Sequence, residues 1–105
     1  MNKEYIEIEK ALIPYSFEIE LGVELFELTI EYNEFGDFFT VSLKKDGEVL
    51  AHNEKITYGE PLFKEIADYR FPAPTIVPID EAGIESRVSW DNLNKTVFLV
   101  VMNGE

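Results

Sequence analysis

Between Ser16 and Leu43 the hydrophobic residues fall on every second position, and a period of two is the mark of half-buried β-strands. Phe17, Ile19 and Leu21 alternate with Ser16, Glu18 and Glu20. Phe26, Leu28, Ile30 and Tyr32 alternate with Glu27, Thr29 and Glu31, and Phe39, Val41 and Leu43 with Phe38, Thr40, Ser42 and Lys44. Successive side chains on a strand point to opposite faces, so each run has an apolar face for a core and a polar face for water. The breaks between runs carry turn chemistry. Leu21-Gly22-Val23 provides a tight turn or a glycine bend, and Asn33 to Asp37 is a longer hairpin loop in which Gly36 is expected to take the left-handed conformation. Asp46-Gly47 is a two-residue turn signal. Val49 to Ala51 and Glu54 to Thr57 then supply a fourth strand, irregular around His52-Asn53, and residues 16 to 56 read as an antiparallel meander.

The flanking segments complete that sheet. Ile6 and Ile8 oppose Tyr5, Glu7 and Glu9, so residues 1–11 hold a first strand, either at an edge or as an arm that pairs with a neighbouring subunit. Pro14 has no N–H for a ladder, which makes Ala11 to Pro14 a connection. In residues 60–69 the spacing changes. Leu62 and Ile66, and Phe63 and Ala67, lie four apart behind Pro61, which fits a two-turn helix or else a loop covering one open end of the sheet. Pro72, Pro74 and Pro78 restrict the next segment to extended chain at an edge, where Thr75 to Ile79 can pair on one side. Asp80 to Ser86 reads as a surface loop, Val88 to Trp90 as a short strand, and Asp91 to Asn94 as a type I turn. Thr96 to Met102 is apolar on both faces, so it is expected to run centrally, across the core or within a subunit interface. The whole is one all-β domain over residues 1–105, a small antiparallel β-sandwich or partly open barrel of seven to eight strands with at most one short helix.

Composition narrows function mainly by exclusion. A chain of 105 residues with 46% hydrophobic content is large enough for one core without metals or disulfides, and the absence of cysteine removes thiolate chemistry. Its formal net charge of −12 repels a phosphate backbone and an anionic membrane surface, so neither nucleic acid nor membrane is an expected partner. The first ten residues lack the apolar run of a signal peptide, which points to synthesis in the cytoplasm.

No constellation carries chemistry. His52 is the sole histidine, and its spacing to Ser16, Ser42, Ser86 or Ser89 shows no sign of a hydrolytic triad. The acidic loop from Asp80 to Glu85 lacks the alternating oxygen ligands of a calcium site, and there is no glycine-rich phosphate loop. Catalytic, cofactor and metal residues are therefore all expected to be none. Most aromatic residues are explained by the core, but three are not: Phe35 at a hairpin tip, Phe38 at outward parity and Trp90 beside a turn. Exposed aromatics mark contacts with partners, and these three are the candidate partner-binding residues.

The strands SFEIELGVELFELTIEYNEFGDFFTVSL, the DGEVL turn after them, Gly59-Glu60-Pro61-Leu62 and the closing WDNLNKTVFLVVMN together resemble a family of short bacteriophage tail proteins, known from the plug at the base of a contractile-tailed cyanophage. The resemblance runs from about Leu12 to Asn103. It implies a non-enzymatic structural component of a bacteriophage or prophage tail, at the baseplate end of the tube. Such a protein acts by assembly with copies of itself and with other tail proteins, and carries no functional residues to transfer. It would be made in the bacterial cytoplasm and built into a virion tail or a prophage-derived particle. The acidic balance suits a surface that DNA passes without sticking. Two other classes stay open on the residues alone: a stand-alone acidic inhibitor or DNA mimic, and a small carbohydrate-binding module using Trp90 and a tyrosine.

Overall fold

In a computed structural model, which describes residues 4–21, 23–63 and 75–102, the alternating stretch forms a four-stranded antiparallel sheet. Its strands are β2 (Tyr15–Leu21), β3 (Glu24–Asn33), β4 (Phe38–Lys45) and β5 (Glu48–Lys55), in that order across the sheet. The register turns parity into rows. Phe17, Leu28 and Leu43 lie side by side, and Tyr15, Ile30 and Val41 form the next row on the same face. Leu28, Ile30, Phe39, Val41 and Leu43 are all fully buried. On the other face Ser16, Thr29 and Ser42 make a polar row, in which the Ser16 and Thr29 hydroxyls hydrogen-bond at 2.7 Å.

A second antiparallel sheet has three strands, β1 (Glu4–Ile6), β7 (Phe98–Met102) and β6 (Thr75–Ile79), with β7 in the middle. The non-alternating sequence of β7 has the expected cause. Leu99, Val100 and Val101 are all buried, and Leu99 and Val101 join a hydrophobic cluster that also takes in Ile6, Ile8, Ile76, Leu93 and Val97 together with the inner face of the larger sheet. Both sheets thus share one core, and the architecture is an all-β sandwich of seven strands among the described residues. In the N-terminal segment β1 pairs with β7 of its own chain, at one edge of the smaller sheet.

Turn chemistry held at Asp46-Gly47, where φ values of 54° and 81° and the Lys45–Glu48 pair define a type I′ hairpin. It did not hold at Gly36. The left-handed residue in that loop is Asp37, at φ 55°, because its carboxylate and carbonyl are held by groups from elsewhere in the fold. Gly36 is needed for space instead: a Cβ there would sit 2.6 Å from the Phe38 ring. The expected irregularity at His52-Asn53 is present, with Asn53 at φ 52°, its N–H donating to the Ser42 hydroxyl, and register shifts opposite Val41/Leu43 and Leu43/Lys44 that each leave an extra residue on β5.

Three other expectations need correction. Val88 to Trp90 is not a strand, since the Ser89 N–H donates to the Asn92 side chain and the Trp90 N–H to the Asp37 carboxylate, leaving neither donor for a ladder. The closing strand begins at Phe98 rather than Thr96, because the N–H groups of Lys95, Thr96 and Val97 all donate to the Asn92 carbonyl. A helix entering at Pro61 is ruled out by Phe63, whose φ is 62°. The remainder of that helix, from residue 64, and the proline segment 71–74 lie outside the described residues. What the 59–62 stretch does is cover an edge: the Gly59 and Leu62 N–H groups donate to the Pro78 and Ile76 carbonyls of β6.

Candidate functional site

The β3–β4 hairpin tip and the 86–97 turn meet at one corner of the sandwich, and Asp37 is the residue that joins them. Asp37 Oδ1 accepts from the Tyr32 hydroxyl at 2.7 Å and from the Trp90 backbone N–H at 3.0 Å. Arg87 donates from Nη1 to Asp37 Oδ2 at 3.3 Å and from Nη2 to the Asp37 carbonyl at 3.2 Å. These donors hold the Asp37 carboxyl below its ordinary value, with the Tyr32 hydroxyl the largest cause, then the Trp90 N–H, and Arg87 adding to them against partial burial. By the same bond the Tyr32 phenol is pushed up to about 12.

Pinned by its backbone, Trp90 lays its ring on the core. It stacks on Phe39 at 5.9 Å between centroids with the planes 11° apart, and meets Tyr32 at 4.8 Å with a 57° tilt. From the N-terminal side Lys10 donates to the Trp90 carbonyl and holds its ammonium 5.5 Å from the ring centroid. The Lys10 ammonium is pushed below its ordinary value, chiefly by burial and then by Lys95, with Asp91 opposing. Asn94 Nδ2 donates to the Ile8 carbonyl, a second tie between the same two segments. Trp90 is therefore a lid over Phe39 with one face committed and 37% of its surface exposed.

The three candidate aromatics are brought to one corner but not to one cluster. Phe35, at the hairpin tip, is 96% exposed and touches no other ring among the described residues. Phe38 lies on the outer face with the Lys55 ammonium 4.8 Å from its ring centroid, and lines a pocket of about 170 Å³ with Lys55, Tyr58, Ser86 and Arg87. Trp90 lies across Asp37 from that pocket, on an open groove lined by Tyr32, Glu34, Asp37 and Asp91. Asp37 belongs to both concavities.

The family model described as Cyanophage baseplate Pam3 plug gp18 matches residues 3–104, nearly the whole chain. The chain belongs to that family. No curated protein and no solved structure matches it significantly. Membership in the baseplate-plug family supports a structural role in a phage baseplate, among other tail proteins.

In this baseplate-plug chain the corner is braced by hydrogen bonds from both segments. Asp37, the most heavily bonded carboxylate there, has donors on both oxygens and is not a free base. His52 stands exposed on β5 beside the Asn53 side chain, while Ser16 and Ser42 are engaged with Thr29 and Asn53, so the two serines of that sheet form no triad with it. Among the described residues no group of three or more His, Asp or Glu side chains could hold a metal ion, and no helix is long and apolar enough to cross a membrane. Asp80 is the loop's own clasp. Its carboxylate accepts from the N–H groups of Glu85, Ala82 and Ile84, which draw it below its ordinary value against burial.

Of the three rings singled out from the sequence, Phe35 and Trp90 are exposed and Phe38 is half-buried, and the residues that brace them carry no local signal. Nothing local marks Asp37 and Arg87 as partners, because 50 positions separate them and no spacing links them. Lys10 and Trp90 are 80 positions apart for the same reason.

Proposed function

We propose that this chain is a non-enzymatic structural part of a phage or prophage tail, one domain seated at the baseplate end of the tube and held there by protein–protein contacts. The observation that carries this reading is the plug-family match across residues 3–104. The corner gives it a physical form: Phe35 is presented on a hairpin whose base is tied down by Asn33, Asp37 and Arg87, so an apolar anchor is offered at low entropic cost. Phe38 and Trp90 flank that anchor and complete a surface for neighbouring tail proteins or a second copy. The protein is made in the bacterial cytoplasm and enters the tail there.

The sugar-binding alternative fits less well, since Trp90 spends one face on Phe39 and meets Tyr32 at 57°, which offers no flat platform. A DNA mimic is disfavoured by Lys44 lying in register with Glu27 on the outer face, which interrupts the row of carboxylates. The test is incorporation. Phe35→Asp leaves the core untouched, so the variant is expected to fold with an unchanged melting temperature and to be lost from purified tail particles detected by mass spectrometry. Normal incorporation of that variant would remove Phe35 from the interface, and absence of the wild-type chain from tail particles would overturn the reading itself.

A further inference from the structure

A β-sheet edge presents unpaired N–H and C=O groups, and proteins blunt such edges with bulges, proline, lysine or a covering segment. Three of the edges here are blunted. β6 carries Pro78 and is covered by the 59–62 stretch. β5 is irregular, with shifts in its pairing and Asn53 in the left-handed region. β1 has only three described residues. β2 is different. It runs seven residues in unbroken register with β3, from Tyr15 opposite Ile30 to Leu21 opposite Glu24, with no proline, lysine or bulge, and no described segment pairs with its other side.

Its two faces are also unfinished. The smaller sheet has three strands against four, and Tyr15, Phe17 and Ile19 on the inner face of β2 are only half-buried, whereas their cross-strand partners Ile30, Leu28 and Phe26 are at most 2% exposed. On the outer face Glu18 stands opposite Glu27, a like-charge pair that is destabilising in a sheet. Glu27 has Lys44 on its other side, but neither Glu18 nor Glu20 has an ion pair among the described residues.

We propose that the free edge of β2 takes an extended segment of a partner protein in which apolar residues alternate with lysine or arginine. The apolar side chains complete the cover over Tyr15, Phe17 and Ile19, the basic ones face Glu18 and Glu20, and the main chain pairs with β2. A second copy of β2 is a poor occupant, because antiparallel self-pairing sets this row of glutamates against its own duplicate. That the partner is a tail protein rests on the baseplate reading above; the edge and its chemistry do not.

The probe is a blocked seven-residue peptide alternating valine and lysine, matched to β2 in length. Because an acidic protein attracts any cationic peptide, the deciding control is the same peptide with every backbone nitrogen methylated, which keeps the charge and removes the donors from both edges. The unmodified peptide is expected to protect β2 amides from hydrogen exchange and to bind about tenfold or more tightly than the methylated one. Glu18→Lys with Glu20→Lys, both at exposed positions, should move the preference to a valine–glutamate peptide. Equal binding of the methylated peptide, protection at another edge, no binding, or β2 protection through a dimer of the free chain would each overturn the proposal. Particle incorporation is read separately: a chain that enters tails but shows no β2 protection sinks the edge alone, whereas one absent from tails sinks the baseplate role.

Discussion

Phe38 and Phe39 are neighbours in sequence and opposites in structure, so replacing each by alanine tests the register of the whole larger sheet. Phe39 is fully buried, with its ring 4.9 Å from Tyr32 and 5.9 Å from Trp90. Phe39→Ala leaves a cavity beneath the Trp90 lid and should cost about 4 kcal/mol, within the usual range of roughly 3–5 for a buried phenylalanine. With an unfolding entropy of roughly 2.1 cal/mol/K per residue, a chain of 105 residues loses about 4–5 °C per kcal/mol, so the melting temperature should fall by about 18 °C. Phe38 faces outward under the Lys55 ammonium, and Phe38→Ala should cost less than about 1 kcal/mol, or under about 5 °C. Thermal unfolding followed by far-ultraviolet circular dichroism gives both numbers. Trp90, the only tryptophan, reports locally: its emission should shift to the red in Phe39→Ala and stay in place in Phe38→Ala. Equal losses, or a larger loss at Phe38, would refute the register, because a slip of one residue exchanges the two faces.

Three further outcomes follow from the corner and the central strand. Asp37 has a folded value below its ordinary 3.8, so its contribution is fully present above that pH and disappears as pH falls through the depressed value; Asp37→Asn should flatten the acid limb of a melting-temperature profile, and an unchanged limb would contradict the bonding. Tyr32 has the opposite sign: its folded value of about 12 lies above the ordinary 10.0, so its contribution is full below pH 10.0 and lost as pH rises through about 12. Tyrosinate absorbance should show one late-titrating phenol that Tyr32→Phe removes. Val100→Asp places a charge at a position 1% exposed in the middle of β7 and should cost about 4 kcal/mol or more; light scattering showing a folded variant with wild-type mass would refute the central placement of that strand.

Much of the fold was legible because the signals are local. Alternation at Phe26, Leu28 and Ile30 names the buried face whatever lies opposite, and Asp46-Gly47 sets its turn through the dihedrals of two residues. Two of the misreadings meet at Asp37. Val88 to Trp90 has the composition of a strand, and Gly36 is the natural left-handed residue of its loop. Both local preferences lost to bonds reaching Asp37 from residues about 50 positions away. The candidate rings could be named singly from the sequence; the braced corner that holds them could not.

What the sequence by itself determined is the class of the protein. Period-two patterning, turn residues and a doubly apolar closing strand dictate antiparallel sheets around a core, because side-chain direction in a strand depends only on position along it. The tertiary structure alone decided that β7 lies between β1 and β6, that Trp90 closes over Phe39, that Asp37 gathers Tyr32, Arg87 and the Trp90 N–H, and that no described segment covers the edge of β2. Those facts turn on which distant groups come within bonding distance once the two sheets pack, and no local spacing along the chain encodes that.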